Sequence, residues 1–176
     1  MTTEAGNLGP MVDDAAEPRA DRPYMPDYGI QAAGGGAGLL PWAWATERLT
    51  RSHDYWIATV GPDGHPHLAP VWGVWRRGAL WFSSGPRSRR ARNLAMHPRC
   101  AATTDDAHQP VVLEGEATRI GDRDAVVAFC AASNAKYRTD HGPDFFLANA
   151  TFRIDPVWAF ALDDEDFPGT PTRWMF

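Results

Sequence analysis

The sequence predicts a mainly β protein, a small antiparallel barrel with helices packed on its side. Short segments rich in β-forming residues follow one another through tight turns, which makes consecutive strands antiparallel neighbours. Helical segments separate the other strands, and no internal repeat is present. About seven strands in 176 residues are most simply accommodated by a closed sheet, because closure removes the sheet edges.

Residues 1–40 have a different composition from the rest, rich in Gly, Pro, Ala and acidic residues and including "AAGGGAG". Such a segment buries too little apolar surface to offset its ordering entropy. We expect a flexible N-terminal arm. An arm draped over a partner subunit is the alternative, since "RPYMPDYGI" contains two tyrosines. The folded domain is expected over residues 41–176.

The first half of this domain is predicted to be a helix followed by a meander of three strands. The helix lies in "LPWAWATERLTRSH", and the strands are "YWIATV", "HLAPVWGVW" and "ALWFSS". In the first turn, "GPDGHP", Pro62 presets φ and Gly64 takes a position that needs positive φ. The second turn, "RRG", is equally short.

The second half is predicted to alternate helices and strands. A helix in "RSRRARNLAMH" is stopped by Pro98, and the strands "CAATT" and "PVVLEGEATRI" follow. The next helix, "RDAVVAFCAASNAKY", has Asp122 as its N-cap. We expect two closing strands, "FFLANATFRID" and "PVWAFAL", separated at Asp155–Pro156.

Composition and charge restrict the class of function. There is no apolar run of membrane-spanning length and no signal-peptide pattern, so we expect a cytoplasmic protein without a membrane partner. The formal net charge of −5 argues against nucleic-acid binding. Cys100 and Cys130 are expected as small buried hydrophobes. His65 and His67 have no third ligand near them in the sequence, so no metal site is expected.

One basic segment stands apart from this acidic average. From Gly64 to Thr104 there is no Asp or Glu, whereas the same segment contains the arginines Arg76, Arg77, Arg87, Arg89, Arg90, Arg92 and Arg99. A solvated basic helix face is one interpretation. The position favours another, because the cluster surrounds a helix N-terminus that is entered from a strand through "SSGPRS".

A helix N-terminus already favours an anion, and arginine side chains there match phosphate oxygens bidentately. Ser83, Ser84 and Ser88 add hydroxyl donors, and Gly85 lets a ligand approach the backbone. The sequence therefore predicts a phosphate cradle, one without the P-loop pattern.

The strand "HLAPVWGVW" offers an apolar shelf beside this cradle. A flat heteroaromatic ring is able to lie along Ala69, Pro70 and Val71, against the backbone groups of the strand. Core packing explains at least half of the tryptophans, but their dispersal also suits an aromatic lining for a hydrophobic substrate, and we assign that role to Trp42, Trp72, Trp158 and Trp174. Together these features indicate a phosphorylated planar cofactor.

The segment from "YWIATVGPDG" through "SSGPRSRRARNLAMHPRCAATT" resembles the flavin/deazaflavin split-barrel superfamily, the pyridoxamine-phosphate-oxidase-like proteins. It is most similar to the actinobacterial branch that uses coenzyme F420, an 8-hydroxy-5-deazaflavin. The likeness runs from about Arg22 to Phe176. It implies a homodimer of six-stranded split barrels with two cofactor sites at the interface.

The resemblance also implies a set of cofactor-binding residues. The positions that match are His67, Leu68, Ala69, Pro70, Val71, Ser83, Ser84, Gly85, Arg87, Arg89, Arg90 and Asn93. The family more often has Arg-Lys where this chain has Arg89–Arg90. That change keeps the charge but not the geometry of the donors.

The cofactor expected from the resemblance is coenzyme F420, with FMN as the alternative and haem less favoured. Arg76, Arg77, Arg92 and Arg99 exceed the needs of one phosphate, which suits the anionic glutamate tail of F420. The expected function is a reductase that transfers a hydride to an electron-poor C=C or C=N bond of a hydrophobic conjugated molecule, such as a natural-product intermediate of secondary metabolism.

Two alternatives remain open at the level of sequence. One is an FMN-dependent oxidoreductase of the pyridoxamine phosphate oxidase type, and the other is a non-catalytic deazaflavin- or haem-binding protein. For a reductase, Tyr137 and His67 are the candidate proton donors, with water as a third source.

Overall fold

The computed structural model describes residues 17–176, and residues 1–16 lie outside the description. In chain order the elements are β1 (Arg19–Asp21), α1 (Trp42–Arg51), β2 (Asp54–Val60), β3 (Pro66–Arg76), β4 (Ala79–Ser84), α2 (Arg89–Met96), β5 (Arg99–Thr104), β6 (Val111–Ile120), α3 (Arg123–Tyr137), α4 (Pro143–Ala148), β7 (Ala150–Ala161), a 3₁₀ turn (Asp164–Asp166) and β8 (Thr172–Met175).

Six of these strands form a closed antiparallel barrel in the order β7-β4-β3-β2-β5-β6, and β6 pairs back onto β7. The predicted fold class is confirmed. Strands β2 and β6 bury every second residue toward the interior of the barrel, whereas β4 buries four consecutive residues. Tyr55 and Ile57 of β2, Leu80 and Phe82 of β4 and Leu113 of β6 are all fully buried in the resulting core.

The three-strand meander and the helices α1 to α3 form where the sequence places them. Ser88 and Asp122 are N-caps whose side chains accept hydrogen bonds from the backbone N–H groups of Ala91 and Ala125. Each cap satisfies a donor that the first helical turn leaves free. Both cysteines are buried and free, and burial raises the pKa of Cys100 to about 12.

The prediction of two closing strands was wrong. Residues 150–161 form one strand, β7, that continues through Asp155–Pro156. The proline is tolerated because the β6–β7 register shifts there, at Glu114/Gly115, and a bulge leaves a residue outside the ladder. Gly115 is required at that point, since a Cβ would lie 2.1 Å from the carbonyl oxygen of Asp155.

The segment "FFLA", predicted as the start of a strand, is the helix α4 instead. Pro143 occupies its first turn, a position where the missing N–H costs nothing. The short strands β1 and β8 were not predicted, because three or four residues are too few to show a period. β8 pairs with the C-terminal half of β7, and β1 pairs with β8.

The described part of the predicted N-terminal arm contacts its own chain. Besides the β1–β8 pairing, Gln31 donates a backbone hydrogen bond to Pro168 and Ala37 donates one to the Asp166 carboxylate. The division into an arm and a domain at residue 40 stays a prediction, and residues 1–16 of the arm lie outside the described range.

Among the residues that the structure describes, no helix is both long and apolar enough to cross a membrane.

Candidate functional site

The site begins where β3 changes its partner strand. Residues 66–72 pair with β2, and from Gly73 onward β3 pairs with β4. On the edge of β3 that faces away from β2, no described strand therefore pairs with residues 66–72. The Gly61 N–H donates to the His65 carbonyl, so His65 and the alternate residues His67, Ala69 and Val71 turn their backbone groups toward β2, because alternate residues of a strand share an edge. Leu68 and Trp72, together with the Pro70 carbonyl, therefore present backbone groups at the free edge.

Tyr137 and Lys136, at the end of α3, bind Gly73 where the β2–β3 ladder ends. The Tyr137 hydroxyl accepts a hydrogen bond from the Gly73 N–H at 2.7 Å and lies 2.6 and 2.8 Å from the carbonyls of His53 and Gly73. The Lys136 ammonium donates to the Gly73 carbonyl at 2.8 Å. Burial raises the pKa of Tyr137 to about 12. A hydroxyl committed to backbone partners is poorly placed as a proton donor for a ligand.

The Tyr137 ring has a second role, as a support for Trp72. The two rings stack with centroids 4.5 Å apart and planes 5° from parallel. Trp72 is nonetheless 51% exposed, since its other face is turned away from the protein. A fixed, half-exposed indole at the end of the free edge is available to a flat ligand.

The segment predicted to be a phosphate cradle connects the end of β4 to the start of α2, and phosphate binding there stays a prediction. The hydroxyls of Ser84 and Ser88 lie 2.9 Å apart, and the Ser88 N–H bonds the Gly85 carbonyl. The space beside the Gly85 Cα is open, with no atom within 4 Å of an added Cβ. The Ser83 Oγ is buried without a hydrogen-bond partner, although buried polar atoms are nearly always paired. An incoming acceptor would satisfy it.

Arg90, in the first turn of α2, is the charged group of the cradle. Its side chain is half-buried and donates to the Ala69 carbonyl at 3.2 Å, while its Nε has no partner. No carboxylate of residues 17–176 lies within salt-bridge distance of it. Burial lowers the pKa of Arg90. A partly desolvated cation without a counter-ion is a site prepared for an anion.

The opposite wall is aromatic and comes from α3, α4 and the loop between them. His141 stacks on Phe145 with ring centroids 4.4 Å apart, and Phe146 lies edge-on to Phe129 at 5.1 Å. Between the walls is a cleft of about 410 Å³, within the range of small-molecule sites. Its lining consists of Pro70, Val71, Trp72, Ser83, Ser84, Gly85, Arg90, Phe129, Ser133, His141, Phe145, Phe146 and Asn149.

The structure thus brings together about half of the residues that the sequence assigned to the cofactor. Pro70, Val71, Ser83, Ser84, Gly85 and Arg90 line the cleft, as does Trp72. Ala69 borders it through its carbonyl, which Arg90 holds. The Leu68 side chain points outward and is 60% exposed.

Three other predicted binding residues lie outside the cleft lining. Asn93 is buried and donates to the Thr59 hydroxyl at 3.0 Å, a contact between α2 and β2. Arg89 lies with Arg92 in a different depression on α2. Arg87 is fully at the surface of the turn before α2. A helix presents successive residues to different directions, so only one of the neighbours Arg89 and Arg90 reaches the cleft.

His67 lies under α2 rather than in the cleft. Its Nδ1 is buried without a partner, and its pKa is lowered by burial and by the nearby charges of Arg89 and Arg90. The imidazole is therefore kept neutral at neutral pH, which makes it a weak source of a proton.

Of the four tryptophans predicted to line a substrate mouth, one lies in the cleft lining and three lie elsewhere. Trp72 lines the cleft, whereas Trp42 and Trp174 pack edge-on at 5.3 Å in a separate cluster with Trp75 and Phe176. Trp174 is fully buried there. Trp158 lies on β7 opposite Glu114 and Met175, also away from the cleft lining. Trp42 and Trp174 therefore contribute to packing near the ends of the chain and not to the cleft.

Sequence reasoning missed the wall formed by α3 and α4. The signal was the order "HGPDFF", in which Gly-Pro marks a helix start and places two phenylalanines on a helix beside the end of α3.

The comparisons with known proteins agree with this architecture. The family model described as pyridoxamine 5'-phosphate oxidase matches residues 45–162, which span every strand of the barrel and the whole cleft. The chain belongs to this family. No match was found among curated protein sequences.

Several solved structures are similar to this fold. The conserved hypothetical protein Rv2991 from Mycobacterium tuberculosis is 22% identical over 72% of this chain and 87% of that chain, with a TM-score of 0.66. A protein named F420 reductase is 24% identical over 64% of this chain and 93% of its own, with a TM-score of 0.54. A NimC/NimA family protein from Clostridium acetobutylicum is 15% identical over 75% and 91%, with a TM-score of 0.60.

Proposed function

We propose that this protein is a coenzyme F420-dependent reductase that transfers a hydride to an electron-poor C=C or C=N bond of a hydrophobic conjugated molecule. The observation that carries the proposal is the polarity of the cleft. One end holds the half-buried Arg90 and the unpaired Ser83 hydroxyl, and the other is lined by aromatic rings. The phosphate of a cofactor side chain matches the first end, and a flat apolar molecule matches the second.

The residues of the chain bind and orient the two reactants. Arg90, Ser83 and Ser84 hold the phosphate, and the free edge of β3 offers backbone donors and acceptors to the polar edge of the ring. Trp72, fixed by Tyr137, limits how the ring lies. A bound deazaflavin supplies a hydride at low potential, so catalysis by the protein amounts to orientation and to exclusion of water.

Two alternative functions differ in how well the observations support them. The family is named for pyridoxamine 5'-phosphate oxidase, which favours an FMN-dependent oxidoreductase. A non-catalytic carrier of a deazaflavin or haem is less favoured, because the cleft continues past the cradle to the α3–α4 wall, whose aromatic rings suit an apolar acceptor.

The surplus arginines do not decide between these cofactors. Arg76 and Arg77 lie in a depression beside Trp81, Arg92 lies beside Arg89, and Arg99 faces Glu116 at 3.4 Å. None of them lines the cleft, so an argument from the anionic tail of F420 gains no support from their positions.

The test is a binding measurement on protein purified from a host that makes FMN and haem but no deazaflavin. We expect colourless protein whose tryptophan emission is quenched saturably by micromolar coenzyme F420, because Trp72 lies in the cleft. Reduced F420 is then oxidised on adding conjugated acceptors. Yellow protein absorbing near 450 nm would transfer the assignment to FMN, and a Soret band would transfer it to haem.

We also propose that the protein is a homodimer, on the ground of an apolar face of the barrel. Trp56, Val60 and Leu68 are 40–60% exposed, and the β2–β3 register sets them beside Pro70, Pro66 and Ala58 on one face. Contiguous apolar surface of this kind marks an interface. Light scattering after gel filtration should give twice the chain mass, and Leu68→Glu should give monomer. A monomeric wild-type protein would refute the dimer.

A further inference from the structure

The cleft contains a histidine that the sequence did not single out for this role. We propose that the α3–α4 wall is the substrate half of the cleft and that His141 is the residue that protonates the substrate after hydride transfer. The proposal rests on the proposed function and adds to it a proton donor and a substrate class, a flat, uncharged conjugated acceptor.

The chemical inventory of the cleft supports this assignment. Of the lining residues that the structure describes, only Arg90 and His141 carry an ionisable base. Arginine does not release its proton in proteins, whereas histidine is the side chain that exchanges one near neutral pH. His67 and Tyr137, the donors expected from the sequence, lie outside this lining. His141 is the one general acid present among these residues.

The position of His141 is fixed by its own loop. Its N–H donates to the Asn134 Oδ1 at 3.1 Å, and its carbonyl accepts from the Asn134 Nδ2 at 2.9 Å and from the Cys130 thiol at 3.0 Å. The imidazole stacks on Phe145, with planes 14° from parallel. Within residues 17–176 the ring nitrogens of His141 make no hydrogen bond to another side chain, so neither is occupied by a partner from this part of the chain.

The surroundings of His141 define the substrate class. Phe129, Phe145 and Phe146 offer ring faces and edges to a flat apolar molecule, and Ser133 and Asn149 are uncharged. The cation of the cleft, Arg90, belongs to the cradle at the other end. An acceptor without negative charge is therefore favoured at this wall.

The acceptor is reduced in two transfers, first of a hydride and then of a proton. A hydride from the reduced cofactor bonds to the electron-poor carbon of the acceptor's C=C bond, and the π electrons of that bond move to the adjacent carbon. That carbon takes a proton from the imidazolium form of His141, which becomes neutral imidazole. The acceptor is reduced by two electrons, the cofactor is oxidised, and His141 regains a proton from water.

The experiment compares His141→Gln with a matched control, His97→Gln. His97 is exposed and lies in a different depression, beside Pro98. Coenzyme F420 affinity is read from tryptophan emission, and turnover is measured with 2-cyclohexen-1-one and 1,4-naphthoquinone as acceptors. We expect His141→Gln to bind F420 within twofold of wild type and to lose at least about 100-fold in kcat. His97→Gln should keep both values. Imidazole added to His141→Gly should restore part of the lost rate.

The pH profile provides a readout that a structural role would not change. The Cys130 thiol donates to the His141 carbonyl, and Arg90 lines the same cleft. The other titratable or charged groups near His141 in the sequence are Arg138, Asp140 and Asp144. A rate that depends on a general acid falls on the alkaline side of its pH profile, and this limb of the kcat profile should be absent in His141→Gln. Asp140→Asn should keep the limb, which separates His141 from its charged neighbour in the loop.

A direct readout does not depend on turnover. The imidazole signals of His141, assigned by NMR through their loss in His141→Gln, should shift when either acceptor is added to the F420 complex. Unshifted signals, or a His141→Gln variant with wild-type kcat and pH profile, would overturn the inference. A wild-type protein that does not bind F420 would instead refute the proposed function.

Discussion

Arg22 and Arg90 are both partly buried arginines with an unpaired Nε, yet their terminal nitrogens have different surroundings. Arg22 donates to the carbonyls of Pro171 at 2.7 Å and Gly169 at 2.8 Å, and also to those of Ala32 and Gly35. Arg90 donates to one carbonyl in the described chain, that of Ala69, at 3.2 Å.

The difference separates a structural arginine from a binding arginine. The carbonyls around Arg22 come from residues that are far apart in the sequence, so its guanidinium joins the N-terminal segment to the turn before β8. Arg90 has no comparable set of acceptors and lies beside a second unpaired donor, the Ser83 hydroxyl. Donors left free at a concave surface indicate a ligand.

The largest effect that would test this comparison is on stability. Arg22→Ala leaves four carbonyls to find other partners and detaches the segment that includes β1. We expect a loss of about 2–4 kcal/mol in the free energy of unfolding, the range for a broken network of charge-assisted hydrogen bonds. Chemical denaturation measures it. Arg19→Ala is the matched control in β1, because that side chain is 77% exposed and should change stability by less than about 0.5 kcal/mol.

The second effect, somewhat smaller, is on binding. Arg90→Ala removes a desolvated cation that has one backbone partner, so its stability should remain within about 1 kcal/mol of wild type. Its affinity for the phosphorylated cofactor should fall by about 1.5–3 kcal/mol, which a fluorescence titration reads directly. Arg92→Ala, exposed on the same helix, should bind as wild type does. If Arg90→Ala lost as much stability as Arg22→Ala while its folded form bound the cofactor normally, Arg90 would be a structural arginine like Arg22.

The contrast between these arginines also shows how far the sequence leads. The barrel, the meander and the "SSGPRS" cradle were predictable, because strand periodicity, turn residues and helix capping are local properties. That Arg90 rather than Arg89 reaches the cleft depends on the rotation of α2 about its axis, which tertiary packing sets. The wall of His141 and Phe145 depends on how α4 lies against the barrel, a contact between segments distant in the sequence.

Lys136, the only lysine of the chain, gives the smallest and sharpest test. It is intermediate between the two arginines, since its ammonium has two partners, the Gly73 carbonyl at 2.8 Å and the Tyr55 hydroxyl at 3.1 Å. Burial lowers its pKa to about 8, against about 10.4 for an unperturbed lysine. Unlike a guanidinium, an ammonium is able to release its proton when its partners do not fully offset burial.

The sign of the pH dependence follows from proton counts. Between pH 8 and about 10.4 the unfolded chain holds a proton on Lys136 that the folded chain has released, so this residue makes stability rise with pH in that window. The difference in unfolding free energy between wild type and Lys136→Met should therefore be constant below pH 8 and should increase in favour of wild type up to pH 10. Lys136→Arg, which keeps its charge throughout, should show no such increase. A flat difference for Lys136→Met would mean that the ammonium is as well satisfied as Arg22, and that partial burial alone does not mark a cation as lacking partners.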